Sequence, residues 1–85
     1  MASYNVLIKP SAVKELEAVP RKERLRIIKR IQALTGKPRP AGCKKLSTQE
    51  QYRLRQGRYR IVYSISDHEQ AVLVVKIAHR REAYR

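Results

Sequence analysis

The strongest constraint on the fold lies in residues 52–65, YRLRQGRYRIVYSI, where polar and apolar side chains alternate on both sides of Gln56-Gly57. Alternation with a period of two is typical of a strand buried on one face, and two such runs around a short turn indicate a β-hairpin. A two-residue turn at Gln56-Gly57 sets four cross-strand pairs, namely Arg55 with Arg58, Arg53 with Arg60, Leu54 with Tyr59 and Tyr52 with Ile61. The sequence therefore predicts that all four arginines project from one face of the hairpin and that the other face is apolar.

This arginine face is unfavourable by itself, because like charges directly opposite one another destabilise an antiparallel pair. The whole chain is strongly basic, with 20 Lys and Arg residues against 7 Asp and Glu residues and a net charge of +13. Such a surface attracts a phosphate backbone, an anionic membrane or an acidic protein. Arg outnumbers Lys by 12 to 8, and the planar guanidinium suits paired hydrogen bonds to phosphate. These features favour nucleic acid as the partner.

Length and composition indicate one small domain. Residues 1–85 contain no linker-like stretch and no internal repeat, and a chain of this length has room for one modest core. No apolar run approaches the roughly 20 residues of a membrane span, and the first residues lack the pattern of a secretory signal peptide. The single cysteine, Cys43, has no partner for an internal disulfide, which is typical of a reducing compartment. We expect a single domain over residues 1–85 and a cytoplasmic location.

Apolar periodicity predicts the elements that precede the hairpin. Residues 4–8 are predicted to form a short strand, and two helices follow, the first N-capped by Ser11 and stopped by Pro20, the second closed by Gly36. Each helix has one apolar stripe, formed by Ala12, Val13, Leu16 and Val19 in the first and by Leu25, Ile27, Ile28, Ile31 and Leu34 in the second. Residues 37–51 are predicted to be a loop.

The last strand, AVLVVKIA at residues 71–78, is apolar on both faces until Lys76, which indicates an interior position in the sheet. Strict parity places Leu73, Val75 and Ile77 on the core face, while Val72 and Val74 join Val62 and the arginines on the other. The predicted fold is a small α+β domain with the order β-α-α-β-β-β, in which an α-hairpin packs on a twisted, mainly antiparallel sheet. Its second face carries a basic groove.

Several kinds of chemistry are disfavoured by the sequence. A metal-dependent nuclease needs clustered carboxylates or histidines, but the seven acidic residues are widely dispersed. The chain also has no phosphate-binding glycine loop, no dinucleotide fingerprint and no C-x-x-C pair, so we expect neither a metal nor a cofactor. Metal-free cleavage of a phosphodiester points to RNA, since its 2′-hydroxyl is a nucleophile within the substrate. Proton transfer would then require a group such as His79, Tyr84 or a lysine of lowered pKa.

The element order, the segment YRLRQGRYRIVYSI, the apolar last strand and the terminal HRREAYR together resemble the RelE/ParE superfamily of toxin–antitoxin toxins, and RelE in particular. The similarity covers nearly the whole chain and is most specific in its C-terminal third. RelE-type toxins are ribosome-dependent endoribonucleases that cut messenger RNA in the A site by 2′-hydroxyl attack, leaving a cyclic phosphate. The resemblance therefore implies this activity, together with messenger RNA, the ribosome and an acidic RelB-like antitoxin as partners.

The resemblance also implies catalytic positions. The two basic positions before the hairpin turn correspond to Arg53 and Arg55, and the arginine of the G-x-Y-R-x-V-Y motif corresponds to Arg60. The arginine after the last strand corresponds to Arg80, with Arg81 one position away as a rival, and the tyrosine near the end corresponds to Tyr84. Members of the family carry lysines where this chain has Arg53 and Arg55. Arg does not readily lose its proton, so the general base is left among Tyr84, His79 and an upstream group such as Glu50.

A wider set of basic residues is expected to contact RNA, and consists of Lys44, Lys45, Arg58, Lys76, His79 and Arg81. The simpler alternative for each is a solvated surface charge, and for Tyr84 a packing anchor. Two other functions remain open at this point. One is inhibition of DNA gyrase in the manner of ParE, and the other is RNA binding without catalysis.

Overall fold

The structure, a computed structural model, describes residues 3–46 and 51–79. The elements are β1 (Asn5–Ile8), α1 (Pro10–Glu17), α2 (Arg21–Ala33), β2 (Lys44–Leu46), β3 (Gln51–Gln56), β4 (Tyr59–Ser66) and β5 (Ala71–His79). Within these residues neither helix is long and apolar enough to cross a membrane.

The five strands form one sheet in the order β1-β5-β4-β3-β2, in which only β1 and β5 run parallel. Both helices pack on the same face of the sheet, so the predicted α+β class and the mainly antiparallel sheet are confirmed. β5 lies between β1 and β4, as its apolar sequence predicted. The additional strand β2 falls in the segment predicted to be a loop. It has three residues, too few for alternation to be recognised, and it exists by pairing with β3.

The N-cap of the first helix lies two residues earlier than predicted. Pro10 occupies its first turn and Lys9 is the N-cap, without a hydrogen bond from its side chain. The assignment of Ser11 as N-cap was therefore wrong. Proline has a fixed φ suited to a helix and no N–H to satisfy, so the first helical position accommodates it well. Pro20 ends the connection between the helices and is the N-cap of α2.

Most of the predicted stripe residues are buried beneath the helices. The exceptions are Val13, at the edge of the α1 stripe, and Leu25, which is 50% exposed. Leu25 lies two positions before Ile27, which is about 200° around a helix of 3.6 residues per turn and hence on its far side. The helical core residues are Ala12, Leu16, Val19, Ile27, Ile31 and Leu34, and they meet Tyr52, Leu54, Ile61, Tyr63, Ile65, Val72, Val74 and Ile77 of the sheet.

The hairpin turn lies one residue later than predicted, so each cross-strand partner is shifted by two residues and the faces are kept. Gln56 pairs with Tyr59, so the turn consists of Gly57 and Arg58. Gly57 has a φ of 59° and takes the first central position, which favours glycine because other residues are strained there. Arg55 consequently lies opposite Arg60 instead of Arg58.

The face assignment of β5 was wrong in its first half. Val62 pairs with Lys76 but Tyr63 pairs with Val74, which leaves Val75 as an extra residue in a β-bulge. A bulge reverses the alternation of faces along a strand. Val72 and Val74 are therefore fully buried in the core, whereas Leu73 is 36% exposed on the opposite face. Ile77, beyond the bulge, lies in the core as predicted.

A polar network anchors the connection between α2 and β2, residues 37–43. Arg39 donates two hydrogen bonds to the Asp67 carboxylate, at 3.2 and 2.9 Å, and its Nε donates to the hydroxyl of Tyr52 at 3.1 Å. The Tyr4 hydroxyl donates to the same carboxylate at 2.7 Å. The hydrogen bonds from Arg39 and then Tyr4 lower the pKa of Asp67 below its ordinary value. The network joins the connection to the start of the chain and to the β4–β5 turn.

The buried side chain of Tyr63 also contacts the connection between α2 and β2. The hydroxyl of Tyr63 donates to the carbonyl of Pro38 at 2.8 Å, and the ring stacks on Tyr52 with 5.9 Å between centroids. Burial raises the pKa of Tyr63 above its ordinary value, so the hydroxyl keeps its proton for this bond. The first residues of the connection are therefore fixed to the core.

Candidate nucleic-acid interface

The face of the sheet that carries no helix is basic over β2, β3 and β4. Directly paired residues of an antiparallel sheet share a face, and Lys44 pairs with Arg53 while Arg55 pairs with Arg60. The opposite parity of β3, Tyr52 and Leu54, is in the core. The alternation that builds the core thus places four cations together on the outer side.

A depression of about 220 Å³ lies among these cations, lined by Gly42, Lys44, Arg53 and Arg55. Its lining carries three positive side chains and no carboxylate. Gly42 has a φ of 93°, a conformation that residues with a side chain rarely adopt. Mutual repulsion of the cations is relieved by a bound anion, so the depression has the size and charge to receive phosphate groups.

Arg60 differs from the other cations because it is buried, with 4% of its surface exposed. It lies opposite Arg55 on one side and Ala78 on the other. A cation surrounded by neighbouring strands has fewer accessible rotamers than an exposed one. Arg60 is therefore a conformationally restricted guanidinium, whereas its partner Arg55 is exposed to solvent.

Two residues predicted to contact RNA lie away from this face. Lys45 pairs with Tyr52 and hence projects toward the helix side of the sheet. Arg58 occupies the hairpin turn, where it lines a separate depression with Glu23 and Arg26 of α2. The prediction that Arg58 belongs to the arginine face was wrong, because the register shift moves it from the strand into the turn.

Two further predicted contacts are engaged with other groups. The Lys76 ammonium is 3.1 Å from a carboxylate oxygen of Glu15, whose other oxygen accepts the backbone N–H of Ile77 at 3.0 Å. The ring of His79 packs edge-on against Tyr59, with 5.2 Å between centroids. Because Tyr59 belongs to the core-side parity of β4, the imidazole lies on the opposite face from Arg53 and Arg55. The structure therefore places His79 away from Arg53 and Arg55.

The predictions for Arg80, Arg81 and Tyr84, and for Glu50 as a base, lie outside the described residues. Among the residues that are described, no three His, Cys, Asp or Glu side chains are grouped so as to hold a metal ion.

Sequence reasoning missed the roles of two residues, Gly42 on this face and Arg30 on the helix side of β3. Gly42 lines the depression, and only its position in the short PAGC segment hinted at a turn. Arg30 of α2 donates to the side chain of Gln56 at 3.0 Å and to the backbone carbonyl of Arg55 at 3.5 Å. It thereby fixes the end of β3. Neither role has a sequence signal, since both depend on which segments the fold brings together.

Comparison with known proteins identifies the family. The sequence profile of the ParE toxin of type II toxin–antitoxin systems, parDE, matches residues 6–84. No curated protein sequence matches the chain. Among solved structures, RelE in the archaeal RelE–RelB complex from Pyrococcus horikoshii is 27% identical with a TM-score of 0.84, over 92% of this chain and 96% of that one.

Two other structures extend the comparison. The isolated E. coli RelE toxin is 26% identical with a TM-score of 0.78, over 96% of this chain and 92% of that one. The YoeB/ParE toxin from Agrobacterium tumefaciens is 17% identical with a TM-score of 0.76, over 88% of this chain and 96% of that one, and it supports the fold alone. The chain belongs to the RelE/ParE superfamily of toxins of type II toxin–antitoxin systems.

Proposed function

We propose that this toxin is a ribosome-dependent endoribonuclease that cuts messenger RNA in the A site without a metal ion, and so inhibits translation. The observation that carries the proposal is the grouping of Lys44, Arg53, Arg55 and Arg60 on the face of the sheet that has no helix. The similarity to RelE implies the same reaction, and we place it in the cytoplasm, where ribosomes are found.

The reaction requires one bond to form and one to break at phosphorus. The 2′-oxygen of the substrate ribose attacks the adjacent phosphorus, and the bond from phosphorus to the 5′-oxygen of the next nucleotide breaks. A base receives the 2′-hydroxyl proton and an acid protonates the leaving 5′-oxygen. The products are a 2′,3′-cyclic phosphate and a 5′-hydroxyl.

The arginines supply electrostatic stabilisation to this step. Negative charge increases on the nonbridging oxygens of phosphorus in the transition state, and a preorganised guanidinium binds that charge more strongly than the ground state. Arg60, fixed by burial, is suited to this role, while Arg53 and Arg55 hold the flanking phosphates. Neither Arg53 nor Arg55 serves as the base, because their guanidinium groups stay protonated.

Proton transfer is assigned to residues outside the described part of the chain. His79 faces the helix side of the sheet against Tyr59, which leaves Tyr84 and Glu50 as the proposed base or acid. Arg80, with Arg81 as its alternative, is proposed to bind the transition state together with Arg60.

Cleavage in a purified translation system tests the proposal, with primer extension locating the cut. We expect Arg55→Ala and Arg60→Ala each to lower the cleavage rate by about 100-fold or more, the loss typical for one preorganised donor. Arg58→Ala is the matched control, because it removes the same charge from the adjacent turn, and it should retain cleavage. Circular dichroism verifies that each variant is folded. Full cleavage by both folded Arg55 and Arg60 variants would reject the assignment.

We also propose an acidic, RelB-like antitoxin as the partner that holds the toxin inactive. The P. horikoshii RelE structure is a complex with RelB, and the charge of +13 favours association with an acidic chain.

A second function is inhibition of DNA gyrase, which is favoured by the match to the ParE profile over residues 6–84. A supercoiling assay separates the two functions. Inhibition of supercoiling together with intact messenger RNA would favour the ParE-like function. Salt-sensitive RNA binding with no cleaved product and no effect on gyrase would identify a non-catalytic RNA-binding relative.

A further inference from the structure

We infer that Asp67, acting through Arg39, is a positioning residue that holds Lys44 beside Arg53 and Arg55 and so maintains the anion-binding depression. The inference rests on the proposed function in taking single-stranded RNA as the ligand. Asp67 lies in the β4–β5 turn, is exposed and carries a negative charge. It would otherwise be expected to weaken binding to RNA.

The depression lies between a strand inside the sheet and a segment at its edge, and the edge segment is the less firmly held of the two. Arg53 and Arg55 belong to β3, which is hydrogen-bonded on both sides by β2 and β4. The facing wall consists of Gly42 and Lys44. Lys44 begins an edge strand of three residues, and a pairing this short supplies little stability by itself. The location of Lys44 therefore depends on what anchors the preceding connection.

Tyr63 holds the connection at Pro38, and the pair formed by Arg39 and Asp67 is the next anchor toward Lys44. A bidentate ion pair defines the direction of both side chains, and here the guanidinium also donates to the hydroxyl of Tyr52 in β3. Arg39 thus ties the connection to both the β4–β5 turn and the strand that carries Arg53. Lys44 follows Arg39 by only five positions, so release of this tie allows the Gly42–Lys44 wall to move away from β3.

RNA affinity provides the test, because positioning and simple electrostatics predict opposite signs. Asp67→Ala makes the net charge, which is +13 in the wild type, more positive by one unit. This change in charge alone would tighten binding to RNA. We expect instead that RNA affinity falls by about threefold or more. The slope of log affinity against log salt concentration should become shallower by about 0.7, the value for one lost phosphate contact on a single strand. The measurement is fluorescence anisotropy of a labelled single-stranded RNA oligonucleotide at several salt concentrations.

Glu69→Ala is the matched control. Glu69 lies in the same turn, is exposed, and its removal changes the charge equally. The hydrogen bonds that Arg39 donates in this network go to Asp67 and Tyr52 instead. The control should bind RNA as tightly as the wild type or more tightly. Asp67→Asn, a milder change that places an amide NH2 against the guanidinium, serves if Asp67→Ala is unfolded by circular dichroism.

A double-mutant cycle with Lys44 decides whether Asp67 acts through that side chain. Lys44→Ala removes the cation that Asp67 is inferred to place, so adding Asp67→Ala should weaken RNA binding no further. Additive losses would overturn the inference, and so would an Asp67→Ala variant that binds like Glu69→Ala. A merely structural role would lower stability without this coupling to Lys44.

The outcome is separable from that of the proposed function. If the wild type binds RNA but leaves ribosome-bound messages intact, the nuclease assignment fails while the binding cycle still tests Asp67. If the wild type cleaves and the Asp67 and Glu69 variants bind RNA equally, only the positioning inference fails.

Discussion

Lys44 and Lys45 have the same side chain in the same short strand but opposite surroundings. Lys44 lines the basic depression, whereas Lys45 pairs with core residue Tyr52 and projects to the other side of the sheet. Neighbouring residues of a strand alternate in direction, so the two lysines lie on opposite faces of the sheet.

This difference gives a prediction at the residue scale. Lys44→Ala should weaken binding to single-stranded RNA and reduce the salt slope by about 0.7, as expected for one lost phosphate contact. Lys45→Ala changes the net charge equally and should leave both quantities close to those of the wild type. Anisotropy titrations at several salt concentrations measure both. Equal losses for the two variants would mean that RNA responds to total charge and not to this face.

The sequence predicted the grouped residues Arg53, Arg55 and Arg60 because alternation within a strand is local. It failed for Arg58, whose direction depends on where the turn begins, and it gave no face for Lys45, whose direction depends on where the edge strand begins. The tertiary roles of Arg39 and Asp67 join residues 28 positions apart, and no local pattern encodes such a contact.

At the scale of elements, Glu15 links α1 to β5. β1 pairs with residues 71–74 of β5, so the later backbone groups of β5 on that side require other partners. One Glu15 oxygen accepts the partly buried N–H of Ile77 and the other accepts from Lys76. The helix thereby supplies an acceptor where the edge strand has ended.

Glu15→Ala should destabilise the protein by about 1–3 kcal/mol, because it leaves the Ile77 N–H without this acceptor. Glu15→Gln keeps an oxygen for that bond and loses only the half-exposed ion pair, worth about 0.2–1 kcal/mol. Urea denaturation measures both changes in the free energy of unfolding. Glu17→Ala, on the same helix and exposed, is the control and should have little effect. A loss for Glu15→Gln as large as for Glu15→Ala would contradict the role of the Ile77 bond.

The elements themselves were largely predictable, while their registers were not. Helical and strand periods locate α1, α2 and the strands of the hairpin. The turn lies one residue later than predicted because Gly57 takes its first central position. The first half of β5 has the opposite faces from those predicted because Val75 is an extra residue in the strand. A bulge leaves no mark in an apolar run such as AVLVV, where every residue suits either face.

At the scale of the molecule, the network of Arg39, Asp67 and Tyr4 joins the chain start, the α2–β2 connection and the β4–β5 turn. These bonds favour the ionised carboxylate, so the pKa of Asp67 is lowered in the folded state. A carboxylate whose pKa is lower in the folded than in the unfolded state stabilises the protein at pH values above its unfolded-state pKa. This stabilisation is lost as the pH falls through the folded-state pKa.

Acid should therefore remove the advantage of the wild type over Asp67→Asn. We expect a constant difference in Tm above about pH 5 that shrinks below the ordinary aspartate pKa of about 3.9. Thermal melts from pH 7 to 2 (about the range in which carboxylates titrate) measure it, and Glu69→Gln is the control. A difference that persists unchanged at the lowest pH would show that charge on Asp67 is not its cause.

The class of fold and the basic second face followed from the order of elements and the net charge, which are properties of the whole sequence. The depression did not, because its walls come from β3 and from a connection whose position is set by contacts distant in sequence.

A sheet covered on one side only separates two sets of positions along the same strands. In β3, Tyr52 and Leu54 are required by the core, while Arg53 and Arg55 make no contribution to it. Evolution can therefore replace the second set without refolding the first, so one scaffold is free to exchange its target while its architecture is inherited unchanged.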